Sequence, residues 1–116
     1  MSTTTIYHNP RCTKSRQTLE LLQQRGISPS VVEYLKTPPS AAELLDIVQK
    51  LGIKAQQLLR TGEEEYRELN LATFAGDDAA LAAIMVKHPK LIERPIVLHG
   101  AKAAIGRPPE NVLAIL

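Results

Sequence analysis

The stretch TTIYHNPRCTKSRQTLELLQQRGISPSVVEY, residues 4–34, decides the fold. Its opening TTIYH is β-branched and aromatic, and Asn9-Pro10 ends it, so residues 4–8 read as a short strand. Good helix formers follow from Thr13 to Arg25, and Gly26 supplies a stop signal. Val31, Val32 and Tyr34 then make a second short strand. Strand, helix and strand in about 30 residues form a βαβ unit, whose two strands run parallel.

Downstream, YLKTPPSAAEL interrupts the pattern with two prolines. Ser40 followed by Glu43 is a capping box, in which hydroxyl and carboxylate each satisfy a free backbone N–H. The helix it opens carries Leu44, Ile47, Val48 and Leu51 at helical spacing and stops at Gly52. Short helices are expected over 55–60 and 63–69. Another is expected over 77–87, with Leu81, Ile84, Met85 and His88 on one side and Pro89 ending it. Ile96–Leu98 and Lys102–Ile105 read as strands joined at Gly100-Ala101, and a closing helix starts at Pro108-Pro109. The order is βαβ, a helical insertion, a β-hairpin and a C-terminal helix. It predicts an α/β fold with a small mixed sheet of the thioredoxin or glutaredoxin kind.

At 116 residues the chain suffices for one domain with one core, and residues 1–116 are read as such. The 14 basic and 12 acidic residues nearly cancel, which argues against a dedicated nucleic-acid binder. With no tryptophan, and with Tyr7, Tyr34, Tyr66 and Phe74 as its aromatics, the chain offers no platform for stacked bases. The start MSTTTIYHNP has neither a basic opening nor an apolar run, and no apolar window approaches the roughly 20 residues of a membrane span. With a single cysteine, the expectation is a soluble protein of the reducing cytoplasm.

That cysteine, Cys12, falls at the strand-to-helix turn, near the positive end of the first helix, where free N–H groups favour a thiolate. Arg11, Lys14 and Arg16 are close in sequence, His8 precedes it by one turn of chain, and Ser15 at i+3 is placed to donate a hydrogen bond to the sulfur. Such surroundings lower a thiol pKa from about 8.5 to about 3.5–7.5. A buried, inert cysteine is the plainer alternative; the cationic helix-opening turn favours the reactive one. Ser15 stands where a C-x-x-C motif would place its resolving cysteine, so any catalytic cycle on Cys12 requires an external thiol. The cysteine phosphatase pattern fails, because the position required to be arginine is Thr18. His8, His88 and His99 show no metal-ligand spacing with Cys12, so no metal is expected.

Three further arginines stand at element ends: Arg60 before Thr61-Gly62, Arg94 before Pro95, and Arg107 before Pro108. The planar, permanently charged fork of arginine suits an oxyanion, although a lone arginine is more often a solvated surface charge.

The blocks YHNPRCTKSR, LLRTGEEEYRELNL, HPKLIERPIVL and IGRPPE, in this order, resemble the glutaredoxin-coupled arsenate reductases of the ArsC family, in particular its short YfgD-like members. The resemblance covers essentially the whole chain. It implies Cys12 as nucleophile, His8 and Ser15 as its helpers, and Arg60, Arg94 and Arg107 as the oxyanion-binding arginines. It also implies a cis peptide bond at Pro95, arsenate as substrate, glutathione as co-substrate with no bound cofactor, and glutaredoxin as partner. Arg11 and Lys14 are more basic than the small residues some members carry there, which favours the thiolate. Two other readings stay open: an Spx-like redox-responsive regulator that binds RNA polymerase, and a monothiol glutathione-dependent thiol transferase. Spx-like proteins share the fold and the HP…RPI segment but sense redox through C-x-x-C, which Ser15 breaks here.

Overall fold

The structure is a computed structural model and describes residues 3–116. The chain forms two compact units, one comprising the chain up to Thr37 together with Arg94–Leu116, the other Pro38–Glu93.

The first unit is built on a four-stranded mixed sheet in the order β2-β1-β3-β4. Strand β1 (Thr4–Tyr7) is followed by helix α1 (Thr13–Gln24) and by β2 (Ser30–Val32), which pairs parallel to β1 with Ile6 opposite Val31. Strands β3 (Ile96–His99) and β4 (Lys102–Ile105) form the hairpin, and β3 lies antiparallel to β1 with Ile6 opposite Val97. Its turn is made by Gly100, whose φ of 60° is one that an L side chain rarely adopts. The core gathers Ile6, Leu22, Val97 and Val112, all fully buried, with Leu19, Leu21, Ile27 and Ala104 packed around them. Helix α1 therefore packs on the sheet through one stripe and leaves its other face to solvent, as a helical repeat of apolar residues requires.

The expected βαβ unit, helical insertion, hairpin and closing helix are all present, with local differences. His8 leaves the first strand, although its N–H still bonds to the Val32 carbonyl at 2.8 Å. Tyr34 lies outside β2, because Lys36 and Thr37 both donate their N–H to the Glu33 carbonyl at 2.9 Å and bend the chain there. The closing segment is a 3-10 helix, Pro109–Ile115, with Val112 as its buried anchor.

The second unit is helical. Helix α2 (Ala41–Leu51) opens on the anticipated capping box: Glu43 N–H donates to Ser40 Oγ at 3.1 Å, and Ser40 N–H donates to Glu43 Oε1 at 3.3 Å. Gly52 ends it with φ of 69°. Its buried Leu44, Ile47 and Val48 face α4 (Asp78–Lys87), whose own buried residues are Leu81, Ala82 and Met85. The short helix α3 (Glu64–Glu68) has no buried residue. The helix expected over 55–60 is a 3-10 turn, Ala55–Leu58, because Leu59 turns extended and bridges antiparallel to Ile92. No helix among the described residues is long and apolar enough to cross a membrane.

Candidate active site

The sequence between β1 and α1 folds into a loop held by its own polar groups. Asn9 is its hub: its carbonyl accepts the Cys12 N–H and its side-chain Oδ1 accepts the Arg11 N–H, both at 3.0 Å. Its own N–H donates to Ser15 Oγ at 3.0 Å. An asparagine side chain that folds back on the backbone two residues on is a turn former. Cys12 is the N-cap of α1, beside the first free N–H groups of the helix. The first turn of α1 carries no acidic residue to compete for that positive end.

Two arginines of the same unit face the sulfur. Arg107 Nη2 donates to Cys12 Sγ at 3.6 Å, while its Nε donates to the Arg94 carbonyl at 2.8 Å. The Arg94 guanidinium interacts with the same sulfur. Both stand before cis prolines, since the Arg94–Pro95 and Arg107–Pro108 bonds are cis. Gly106 holds these two turns together: its N–H donates to the Pro95 carbonyl at 2.9 Å. A Cβ on Gly106 would meet Thr18 Oγ1 at 2.5 Å and Pro95 Cγ at 2.8 Å, so only glycine fits.

The electrostatics follow from this placement. Burial pushes the Cys12 thiol up, but the Ser15 N–H, the Arg94 guanidinium and the Lys14 N–H together outweigh it and hold the pKa below the ordinary thiol value. Cys12 is buried, so its sulfur is poorly solvated, the condition under which oriented dipoles and a neighbouring cation act most strongly.

His8 and Ser15 meet in the loop that carries Cys12. His8 Nδ1 and Ser15 Oγ are 2.6 Å apart, and that same oxygen accepts the Asn9 N–H. The Ser15 hydroxyl is thus engaged with the loop, and it is the Ser15 backbone N–H that favours the thiolate. Burial lowers the His8 pKa, against an opposing pull from Glu33. The His8 side chain is tied to the loop through Ser15.

Arg60 lies in the helical unit. Its Nε pairs with Glu63 at 3.4 Å and its Nη1 with Glu93 at 3.3 Å, while its N–H donates to the Leu91 carbonyl at 2.8 Å. One residue of the sheet unit escaped the sequence reading. Tyr34, taken only as a strand residue, is 1 % exposed and its hydroxyl interacts with the Arg94 guanidinium. Its location just past the C-terminal end of a parallel strand, where α/β sheets place their ligands, is the signal that marks it. Among the described residues no group of histidine, cysteine and acidic side chains forms a metal site.

A mixed four-stranded sheet with one thiol at a helix N-cap, faced by two arginines that each precede a cis proline, defines a thioredoxin-like protein with a single-cysteine site. The chain belongs to the ArsC family, whose model matches residues 7–115. It is 54 % identical over 112 residues to YfgD of Escherichia coli K12, covering 96 % of this chain and 94 % of that one. It is 51 % identical over 112 residues to an arsenate reductase of Neisseria meningitidis, covering 96 % of each. Among solved structures, an arsenate reductase from Vibrio cholerae superposes with a TM-score of 0.95 at 52 % identity, covering 99 % of this chain and 98 % of that one.

Proposed function

We propose that this protein reduces arsenate to arsenite through a Cys12 thiolate, with glutathione and glutaredoxin supplying the electrons. The observation that carries the reading is the convergence of Arg94 and Arg107 on one N-cap thiol. An anionic nucleophile and an anionic substrate repel each other, and fixed guanidinium groups remove that barrier while orienting the oxyanion. The arsenate reductases at about half identity support the choice of oxyanion.

In the first step the Cys12 sulfur bonds to arsenic(V) and one arsenic–oxygen bond breaks, its oxygen leaving as water after taking protons from solvent. The chain contains a single cysteine, so the site cannot close a disulfide on itself. External thiols complete the cycle: two of them become one disulfide, arsenic gains two electrons, and Cys12 returns to its thiolate. Glutathione is the proposed attacking thiol and glutaredoxin the proposed recycler. The family resemblance assigns Arg60 the third arginine's part in holding the oxyanion.

NADPH-coupled arsenate reduction with glutathione and glutaredoxin tests this. Arsenite formation that needs both thiol components and vanishes in Cys12→Ser is expected; undiminished activity in Cys12→Ser overturns it. Turnover of glutathionylated peptide with none on arsenate would make the protein a thiol transferase instead. Capture of the RNA polymerase α subunit, again without arsenate turnover, would make it a regulator.

A further inference from the structure

The loop after β1 and the chain after β2 enclose a cleft of about 230 Å³ that takes no part in the steps above. His8, Asn9 and Arg11 line it from the loop, Glu33 and Lys36 from the other side. Both walls are held by the backbone: His8 N–H donates to the Val32 carbonyl at 2.8 Å, and Lys36 N–H to the Glu33 carbonyl at 2.9 Å. His8 and Asn9 are only 6 % and 7 % exposed, yet each keeps one side-chain nitrogen without a hydrogen-bond partner among the described residues. Asn9 Oδ1 is taken by the Arg11 N–H, so the group left over is its Nδ2, which only donates. Ser15 Oγ accepts the Asn9 N–H, and its own proton has His8 Nδ1, at 2.6 Å, as acceptor. The ring then carries its proton on Nε2, a second donor. Arg11 and Lys36 add positive charge, and Glu33 is the one acid among the described lining residues. Its pairing with Lys36 at 3.5 Å is exposed and therefore weak. In a recess that excludes most solvent, such donors hold an anion more strongly than open water allows.

We propose that this cleft is a carboxylate subsite for the thiol co-substrate: His8 Nε2, Asn9 Nδ2, Arg11 and Lys36 hold the terminal carboxylate of a thiol peptide and so present its sulfur beside Cys12. Its use in turnover rests on the external-thiol chemistry proposed above, whereas binding to the cleft does not. In glutathione the glycine carboxylate stands one residue from the cysteine, about 3.5 Å of chain, and Arg11 stands one residue from Cys12. Glu33 favours this singly charged group over a multiply charged oxyanion, which is left to the arginines that face the sulfur.

The probes are S-methylglutathione, which cannot react, and its glycyl monoethyl ester, which lacks only that negative charge. Each is titrated without arsenate and followed through the backbone amide shifts of Asn9, Arg11 and Lys36. The parent should bind the acid several-fold more tightly than the ester. Asn9→Asp keeps the oxygen that accepts the Arg11 N–H and exchanges the leftover donors for an anion, and Lys36→Gln removes a charge; both should lose most of that preference. Lys36 is exposed, so Lys36→Gln decides the matter if Asn9→Asp melts below the parent. Equal affinity for acid and ester in the parent overturns the proposal, as does a preference undiminished in Lys36→Gln or displacement of the acid by an equal concentration of inorganic phosphate. In the coupled assay KM for glutathione should rise several-fold in Lys36→Gln, by more than kcat falls. No arsenate reduction with the preference for the acid intact would sink the arsenate reading and keep the subsite. Arsenate reduction supported equally by glutathione and its glycyl ester would do the reverse.

Discussion

Arg107 donates to the Cys12 sulfur at 3.6 Å while its Nε is tied to the Arg94 carbonyl at 2.8 Å. One side chain thus links the nucleophile to the backbone of the other arginine that faces it. The link needs a planar fork with separate donors, and a lysine ammonium, a single point of charge on a flexible stem, cannot span both partners.

Lysine should therefore be a poor substitute. Arg107→Lys and Arg94→Lys are each expected to lose at least about tenfold in kcat/KM for arsenate, close to the loss in the alanine variants. Steady-state kinetics in the coupled assay check this. Parent-level activity in either lysine variant would remove that arginine from the site.

Ser15→Ala removes the oxygen shared by His8 Nδ1 and the Asn9 N–H, all of them buried. Leaving buried polar groups unmatched costs about 1–3 kcal/mol each. Denaturant unfolding should show a loss of that size. The alkylation midpoint should move less than in Arg94→Ala, because the Ser15 backbone N–H that favours the thiolate is retained.

His8 gives stability a pH dependence of definite sign. Its folded pKa lies below the ordinary value of 6.5, burial being the larger cause and Glu33 opposing it. Below about 6.5 the unfolded chain binds a proton that the folded chain does not, so His8's contribution is present above that pH and is lost as pH falls through the folded pKa. Unfolding free energy should decrease from about pH 6.5 downward, and His8→Gln should flatten that decrease. An unaltered slope in the variant would assign the acid sensitivity elsewhere.

Gly106→Ala places a methyl group 2.5 Å from Thr18 Oγ1 and 2.8 Å from Pro95 Cγ. Overpacking of a fixed core typically costs about 1–3 kcal/mol. Thermal melting should show that cost, with partial recovery in the double variant carrying Thr18→Ala, since Thr18 contributes two of the three close atoms.

The sequence makes the local elements readable wherever the signal is itself local. Gly26 stops α1, the Ser40–Glu43 box opens α2, and Gly100 turns the hairpin, because each acts on neighbours one turn away. Cys12 at the N-cap is legible for the same reason. What is not legible depends on distant partners. Leu59 turns extended because it bridges to Ile92, and no propensity within the segment records that. Tyr34 looks like a strand residue until Arg94 is beside it. The tie between His8 and Ser15 joins a strand end to the first turn of a helix, a spacing that belongs to neither period.

Cys12 alkylation against pH, with and without arsenate, tests the central claim most directly. The account predicts a midpoint below the ordinary thiol value of about 8.5, and slower alkylation when arsenate occupies the site. A midpoint at or above about 8.5, with alkylation indifferent to arsenate, would contradict it.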